Sequence, residues 1–115
     1  MQRGTIVLVS FPFTNLKSSK VRPALIVSSE SIDKRDVIVA FISSVINKAS
    51  IKEVDFILEK TNKGFPETGL KKDSIIKLGK LTTLEKNIIL GELGYLSKEM
   101  MKIVDEKLKI VLGLK

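Results

Sequence analysis

The sequence has neither a cysteine nor a histidine among its 115 residues. Without cysteine, the chain can form neither a disulfide framework nor a thiolate metal site. Without histidine, it lacks the commonest general base and the commonest metal ligand of proteins. Carboxylates alone are a poor ligand set for zinc, so we expect a protein that works with no metal and no cofactor.

Long hydrophobic runs are also absent. No stretch approaches the roughly 20 consecutive apolar residues that a membrane-spanning helix needs. The N-terminus, MQRGTIVLVSFPF, places a basic residue before a short apolar run, but Ser10 and Pro12 interrupt that run and no small-residue cleavage site follows. This pattern predicts a strand rather than a signal peptide, and we expect a cytoplasmic protein with no membrane partner.

Acidic residues are missing from the first 29 residues, which nevertheless carry Arg3, Lys17, Lys20 and Arg22. The whole chain has a formal net charge of +7. A basic segment without compensating carboxylates favours an anionic partner, and nucleic acid is the first candidate. Solvated surface lysines would explain the same charge equally well.

Short apolar runs rich in β-branched residues predict a protein made mainly of strands. The predicted strands cover residues 5–11, 23–29, 37–44, 52–59, 74–78 and 90–96. Between them, the polar segment 14–20 and the segment 61–73, with turns at Gly64 and Gly69, are predicted loops.

Two helices are predicted in the second half of the chain. Thr82 followed by Glu85 fits a capping box and predicts a short helix to about residue 89. Ser97 can cap a longer C-terminal helix. Its apolar stripe consists of Met100, Val104, Leu108 and Val111. Short strands followed by one amphipathic helix predict a single α+β domain over residues 1–115, with mostly antiparallel strands in a curled sheet or small β-barrel that the helix covers.

The residue that folding does not require is Arg22, which stands directly before Pro23 at the start of a predicted strand. Its planar guanidinium with five donors suits a phosphate. The loop beside it supplies further donors, namely Lys17, Ser18, Ser19 and Lys20. A salt bridge to a carboxylate such as Glu30 or Asp36 is the structural alternative. Ser43 ends the third apolar run, where a serine is most often an ordinary strand terminus.

Five segments follow one another in a recognisable order: GTIVLVSFPFT (4–14), KVRPALIVSS (20–29), VAFISS (39–44), KKDSIIKLGKLTTLEK (71–86) and LSKEMMKIVDEKL (96–108). This succession resembles the PemK/MazF toxins of bacterial toxin–antitoxin pairs and covers essentially the whole chain. The arginine–proline dipeptide between two apolar strands, after a polar loop, is a fairly specific feature.

The resemblance implies a small SH3-like β-barrel with helices, working as a homodimer. It also implies a sequence-specific, metal-independent endoribonuclease that cuts single-stranded RNA (mRNA) and thereby inhibits translation. Attack of the ribose 2′-OH on the neighbouring phosphate would leave a 2′,3′-cyclic phosphate and a 5′-OH. The family's essential arginine falls on Arg22 and its active-site threonine or serine on Ser43, which are therefore the expected catalytic residues. The residues expected to bind RNA are Lys17, Ser18, Ser19, Lys20 and Lys77. A cognate antitoxin with an acidic tail is the expected protein partner.

The chain departs from some relatives at positions that help to select RNA. The loop before Arg22 lacks the acidic or histidine residue found in some of them. Gly79 stands where others carry a carboxylate, and Thr82 and Thr83 stand where others carry an arginine–threonine pair. These departures leave the cleaved sequence open. Because the chain has no histidine, the proton of the 2′-OH must pass to a lysine, a carboxylate or water.

Two other functions remain open from the sequence. The gyrase-inhibiting CcdB family shares the fold and acts by binding a protein. A non-cleaving RNA-binding module could also use the same basic groove. Cleavage of RNA by the purified protein separates the first hypothesis from these two.

Overall fold

A computed structural model describes residues 2–12, 19–30, 35–44 and 51–115. These residues form six strands and one α-helix: β1 (Thr5–Pro12), β2 (Ser19–Ile26), β3 (Asp36–Ser44), β4 (Asp55–Leu58), β5 (Ser74–Glu85), β6 (Ile89–Tyr95) and α1 (Lys98–Leu112). Two 3₁₀ turns, Pro66–Thr68 and Lys86–Ile88, precede β5 and β6 respectively. No helix in the described part of the chain is long and apolar enough to cross a membrane.

The strands form a single antiparallel sheet in the order β4-β5-β3-β2-β1-β6. The predicted α+β class with mostly antiparallel strands is confirmed. The barrel is not closed by hydrogen bonds, because β4 and β6 are the two ends of the sheet order and the described residues contain no ladder between them.

Both faces of the sheet bury apolar side chains, because successive residues of a strand point to opposite faces. In β1, for example, Ile6 and Val7 are both fully buried, but in different clusters. The first cluster lies between the sheet and α1. The second cluster lies on the opposite face and includes Val7, Val9, Ala24, Ile26, Val37, Val39 and Leu84.

The C-terminal helix begins and ends as predicted. The Ser97 side chain accepts a hydrogen bond from the backbone N–H of Met100 at 3.2 Å, and Gly113 ends the helix in the left-handed conformation with φ 70°. Its buried residues are Met100, Val104 and Leu108. Arg3 fastens the N-terminus to this helix, since its side chain donates to the Val27 carbonyl at 2.7 Å and pairs with Asp105.

The predicted helix from Thr82 to about residue 89 is wrong. Strand β5 continues to Glu85, and only a 3₁₀ turn follows at Lys86–Ile88. Pairing with β3 opposes Thr82 to Val39 and buries Leu84 in the second cluster. This burial outweighs the local capping signal, because tertiary packing routinely overrides helix propensity.

Candidate functional site

The two predicted catalytic residues lie on one face of neighbouring strands. Along β2, Arg22 lies two and four residues before Ala24 and Ile26, which belong to the second cluster. Along β3, Ser43 lies two residues after Phe41 and four after Val39. Val39 belongs to the same cluster, and Phe41 packs against this cluster. Because side chains two apart in a strand share a face, Arg22 and Ser43 both project on the side opposite α1. Both residues are partly buried.

Arg22 and Ser43 lie equally far beyond the last described pair of β2 and β3. These strands pair from Ile26–Val39 to Ala24–Phe41, and Arg22 and Ser43 each lie two residues beyond that last pair. In contrast to the sequence prediction, Arg22 is not at the entrance of its strand, because β2 begins at Ser19 and pairs with β1 from Ser19 to Leu25.

Pro23 explains why the β2–β3 ladder ends where it does. The backbone N–H of Val27 points toward β3 and donates to the Ile38 carbonyl at 3.0 Å. Residues two and four positions earlier point the same way, so the N–H of residue 23 would be directed at Ile42. Proline has no such N–H. The described β2–β3 ladder therefore ends at the pair Ala24–Phe41. We call the region beyond this pair the β2–β3 fork; Arg22 lies on its β2 side and Ser43 on its β3 side.

Lys77 lies on the same face. Ile76 belongs to the first cluster and pairs with Ile42, whereas the neighbouring Lys77 points the other way and pairs with Asp55 of β4. Lys77 follows Ile76, whose pair with Ile42 is the last before the β3–β5 register shifts at Phe41. We call the surface formed by Arg22, Ser43, Phe41 and Lys77 the site face.

The remaining predicted RNA-binding residues precede Arg22. Lys20 is exposed and, two residues before Arg22, shares its face of β2. Ser19 is the first residue of β2 and pairs with Pro12. Lys17 and Ser18 lie outside the described residues.

The structural alternative for Arg22, a salt bridge to Glu30 or Asp36, does not fit this register. The β2–β3 pairing opposes Asp36 to residue 29, seven residues along the strand direction from Arg22. At about 3.3 Å per residue this separation is on the order of 20 Å, and Glu30 lies farther still along the chain. Neither carboxylate is within reach of the Arg22 guanidinium, so neither explains its position.

A cavity elsewhere in the described part of the chain has the wrong charge for RNA. It has a volume of about 670 Å³ and lies where the outer edge of β4, the loop before β5 and the start of α1 meet. Its apolar lining includes Phe56, Met100 and Ile103, and its charged residues are Glu59, Lys63, Glu67 and Glu99. Three carboxylates against one ammonium group would repel a polyanion, whereas the site face carries Arg22, Lys77 and Lys20.

Sequence reasoning missed two members of this region, Phe41 and Asp55. The alternation Val39–Phe41–Ser43 was available in the sequence as a signal that Phe41 shares the face of Ser43. Asp55 carries no comparable signal, because its place beside Lys77 depends on the β4–β5 register. Its carboxylate also accepts a hydrogen bond from the backbone N–H of Lys52 at 2.9 Å. The described residues contain no cluster of three or more potential metal-ligating side chains.

Comparisons with known proteins match nearly the whole of this chain. Residues 2–112 match the family described as the PemK-like, MazF-like toxin of type II toxin–antitoxin systems. A protein of Staphylococcus saprophyticus named endoribonuclease MazF is 36% identical, and the match covers 99% of this chain and 92% of that protein.

Several solved structures have the same fold. A mycobacterial endoribonuclease in complex with its cognate antitoxin has a TM-score of 0.75 at 17% identity, covering 100% of this chain and 97% of that one. The Mycobacterium tuberculosis toxin MazF-mt6 has a TM-score of 0.73 at 18% identity, covering 96% and 98%. MazF of a MazE–MazF crystal from Deinococcus radiodurans has a TM-score of 0.72 at 15% identity, covering 100% and 97%. The family match and the 36% identical relative together show that this chain belongs to the PemK/MazF family of endoribonuclease toxins from type II toxin–antitoxin systems.

Proposed function

We propose that this toxin cleaves single-stranded RNA by attack of a ribose 2′-OH on the adjacent phosphate, with Arg22 and Ser43 as its catalytic residues. The observation that supports the proposal is that Arg22 and Ser43 lie on one face of neighbouring strands, each two residues beyond the last β2–β3 pair, Ala24–Phe41. A guanidinium and a hydroxyl so arranged can both donate to a single phosphate that enters the fork.

The chemistry needs few groups from the protein. The 2′-oxygen forms a bond to phosphorus while the bond from phosphorus to the 5′-oxygen breaks, which leaves a 2′,3′-cyclic phosphate and a 5′-OH. The 2′-OH gives up its proton, and the departing 5′-oxygen acquires one. Because the nucleophile belongs to the substrate, no metal-activated water is required. Arg22 and Ser43 stabilise the negative charge that accumulates on the phosphoryl oxygens.

Three groups are candidates to accept the proton of the 2′-OH. Lys77 and Asp55 are the ionisable groups that β5 and β4 bring beside the fork, and solvent is the third candidate. A cleavage rate that Lys77→Met and Asp55→Asn each leave unchanged would assign the proton to solvent.

Incubation of RNA with the protein in the presence of EDTA tests the activity and its mechanism together. We expect cleavage to persist, and the fragments to carry 2′,3′-cyclic phosphate and 5′-OH ends. A substrate with a single 2′-deoxy nucleotide at the cut site should resist cleavage. Cutting of that substrate or of DNA at a similar rate would contradict internal attack, and RNA binding without cleavage would identify a non-enzymatic module.

The RNA-binding residues surround the fork. Lys20 and Lys77 contribute positive charge near Arg22, and Lys17, Ser18 and Ser19 directly precede this part of β2. Binding to single strands should weaken with salt, with a slope of about −0.7 per neutralised phosphate. Substituting Lys17 and Lys20 together should flatten that slope, and salt-insensitive binding would contradict the assignment.

An antitoxin that silences this toxin would cover the site face. The mycobacterial and Deinococcus structures above include antitoxins bound to their toxins. For this chain we propose a cognate antitoxin with an extended acidic tail, because carboxylates can pair with the cations that otherwise meet RNA phosphates. Labelled RNA should be displaced by the antitoxin in a competition titration, and a ternary complex holding both at full occupancy would contradict this.

We also propose that the toxin is a homodimer. Strand β4 is an unpaired edge of the sheet among the described residues, and the neighbouring flank of α1 exposes Ile103 (46%) and Ile110 (58%). Edge strands and exposed apolar patches of this kind are typical of interfaces between subunits. Strands β4 and β5 carry the site face toward this edge, so a second copy joined there would extend the basic surface.

A further inference from the structure

Phe41 is an aromatic residue at the centre of the site face. On β2, its ladder partner is Ala24, and the next residue on that face is Arg22. On β5, Lys77 follows Ile76, whose pair with Ile42 is the last before the β3–β5 register shifts at Phe41. Phe41 also lies two residues before Ser43, on the same face of β3.

The Phe41 side chain packs against the second cluster and is only partly buried. The nearest members of that cluster, Ala24 and Val39, are fully buried. A side chain that is anchored by a closely packed cluster has few alternative rotamers. Part of the ring can therefore meet a ligand without a costly rearrangement.

Strand β5 is irregular beside this ring. The β3–β5 register shifts between the pairs Ala40–Leu81 and Ile42–Ile76, so five steps along β5 accompany two steps along β3. Irregularities of this type bend a strand and re-aim its side chains, and they are frequent next to active sites. The extra residues lie between Ile76 and Leu81, beside Phe41.

We infer that Phe41 is a stacking platform for one of the two bases that flank the cleaved phosphate. The inference rests on the proposed ribonuclease function. Proteins that hold single-stranded nucleic acid combine cations along the backbone with aromatic side chains on which bases stack. Stacking of a flanking base on Phe41 holds its sugar and phosphate beside the fork, where Arg22 and Ser43 can reach them, so Phe41 is a binding residue that positions the substrate.

A substrate–protein double-mutant cycle tests this role. A short RNA with one cut site, identified by sequencing the cleaved ends of a longer RNA, is prepared intact and with an abasic nucleotide at either flanking position. Phe41→Leu should lower kcat/KM on intact RNA about tenfold, a typical consequence of losing one base–aromatic stack. At one flanking position, the abasic nucleotide should lower the kcat/KM of the wild-type toxin by about the same factor. On that same substrate, the kcat/KM of the Leu variant should be almost equal to that of the wild-type toxin.

Two controls separate stacking from a structural effect. Phe41→Tyr keeps the aromatic face and should retain cleavage within about threefold. An abasic nucleotide four positions from the cut should affect wild type and Phe41→Leu equally. A second measurement does not depend on the Leu variant folding: 2-aminopurine at the sensitive position, in an RNA with a 2′-deoxy nucleotide at the cut site, should lose fluorescence on binding to the wild-type toxin.

The outcomes are distinguishable. The stacking proposal would be overturned if the kcat/KM losses from Phe41→Leu and from the abasic nucleotide multiplied at both flanking positions. It would also be overturned if 2-aminopurine fluorescence did not fall on binding. Either result would leave the ribonuclease proposal intact. Failure of the wild-type toxin to cut any RNA would overturn both. A tenfold loss that disappears at one abasic position would support stacking.

Discussion

The backbone on either side of Arg22 determines the position of this residue. Strand β2 is paired with β1 from Ser19 to Leu25, which holds the Arg22 Cα in a regular strand, and Pro23 directs the chain away from a ladder with β3. The residue is thus presented at a fork rather than on a flexible loop. Rigid presentation matters because a preorganised donor loses little free energy to reorganisation during reaction.

Arg22→Ala should lower the cleavage rate by about 100- to 1,000-fold, the usual cost of removing one preorganised donor to a transition state. The melting temperature should change little, because β2 remains paired with β1. Lys102→Ala, which removes one exposed positive charge on α1, is the matched control and should cleave at the wild-type rate. If activity and melting temperature fall together in Arg22→Ala, the residue is structural.

Ser43→Ala should cost less, about tenfold in rate, because a neutral hydroxyl makes a weaker hydrogen bond than a guanidinium. Ser43→Thr keeps the hydroxyl on a residue that strands accommodate readily and should restore most of the rate. Single-turnover kinetics on a defined RNA measure both. A Thr variant as slow as the Ala variant would show that the hydroxyl is not the group that matters.

At the scale of the elements, the irregularities shape the site. Strand β2 stops pairing with β3 at Pro23, and the β3–β5 register shifts beside Phe41. Between these two interruptions, the sheet presents Arg22, Ser43 and Lys77 on one face. The β1–β2 and β4–β5 ladders continue without a register shift beside these interruptions, so β2 and β5 remain held in the sheet where the site opens.

Pro23→Ala should return an N–H directed at the Ile42 carbonyl and let the β2–β3 ladder extend toward Arg22. We expect melting temperature to stay the same or rise, and cleavage to fall by about tenfold or more, since small misplacements of catalytic groups are costly. Hydrogen exchange at residue 23 should show whether the new hydrogen bond forms. Protection there with unchanged cleavage would mean that the fork is not needed.

The 3₁₀ turn before β5 packs closely against β6, and glycine makes this approach possible. A Cβ on Gly94 would lie 2.2 Å from the Glu67 carbonyl oxygen and 2.6 Å from the Thr68 carbonyl carbon. Gly94→Ala should therefore destabilise the protein by about 1–3 kcal/mol, the usual cost of overpacking. Gly91, in the same strand, is the matched control, because its Cβ would meet nothing within 4 Å.

Urea unfolding of both alanine variants measures this difference in the free energy of unfolding. Gly91→Ala should remain within about 0.5 kcal/mol of wild type. Equal stabilities of the two variants would show that the turn can move away from β6 at little cost.

At the scale of the whole molecule, the site face and α1 lie on opposite sides of the sheet. Arg22 and Lys77 belong to the site face, whereas the exposed apolar side chains Ile103 and Ile110 lie on one flank of α1. The acidic cavity lies at the N-terminal end of the same flank. Such a division permits one surface to bind a polyanion while another joins two copies of the chain.

Replacing Ile103 and Ile110 together with lysine should convert the proposed dimer to monomers, because an isologous interface would bring like charges and polar groups into its centre. Leu112 is 57% exposed and lies about 180° around the helix from Ile103, so Leu112→Lys is the matched control. Sedimentation velocity should find the control dimeric. A double variant that remains a dimer would place the interface elsewhere.

Several features of the fold could be predicted because their causes are local. The C-terminal helix follows from one serine cap, an apolar stripe and a terminal glycine, all within residues 97–113. The β-branched runs predicted the strands, and the order of the motifs predicted the family. Boundaries were less accurate at β2, where polar residues 19 and 20 pair with β1 although their composition suggests a loop.

Local sequence determined most of the segments that extend, and where α1 begins and ends. Only the tertiary structure decided that Thr82–Glu85 would remain a strand, that β2 and β3 would pair only as far as Ala24–Phe41, and that Lys77 would lie beside Asp55. The physical reason is the range of the interactions. Caps, turns and propensities act over a few residues, whereas strand register depends on the simultaneous burial of both faces of the sheet by residues far apart in the chain.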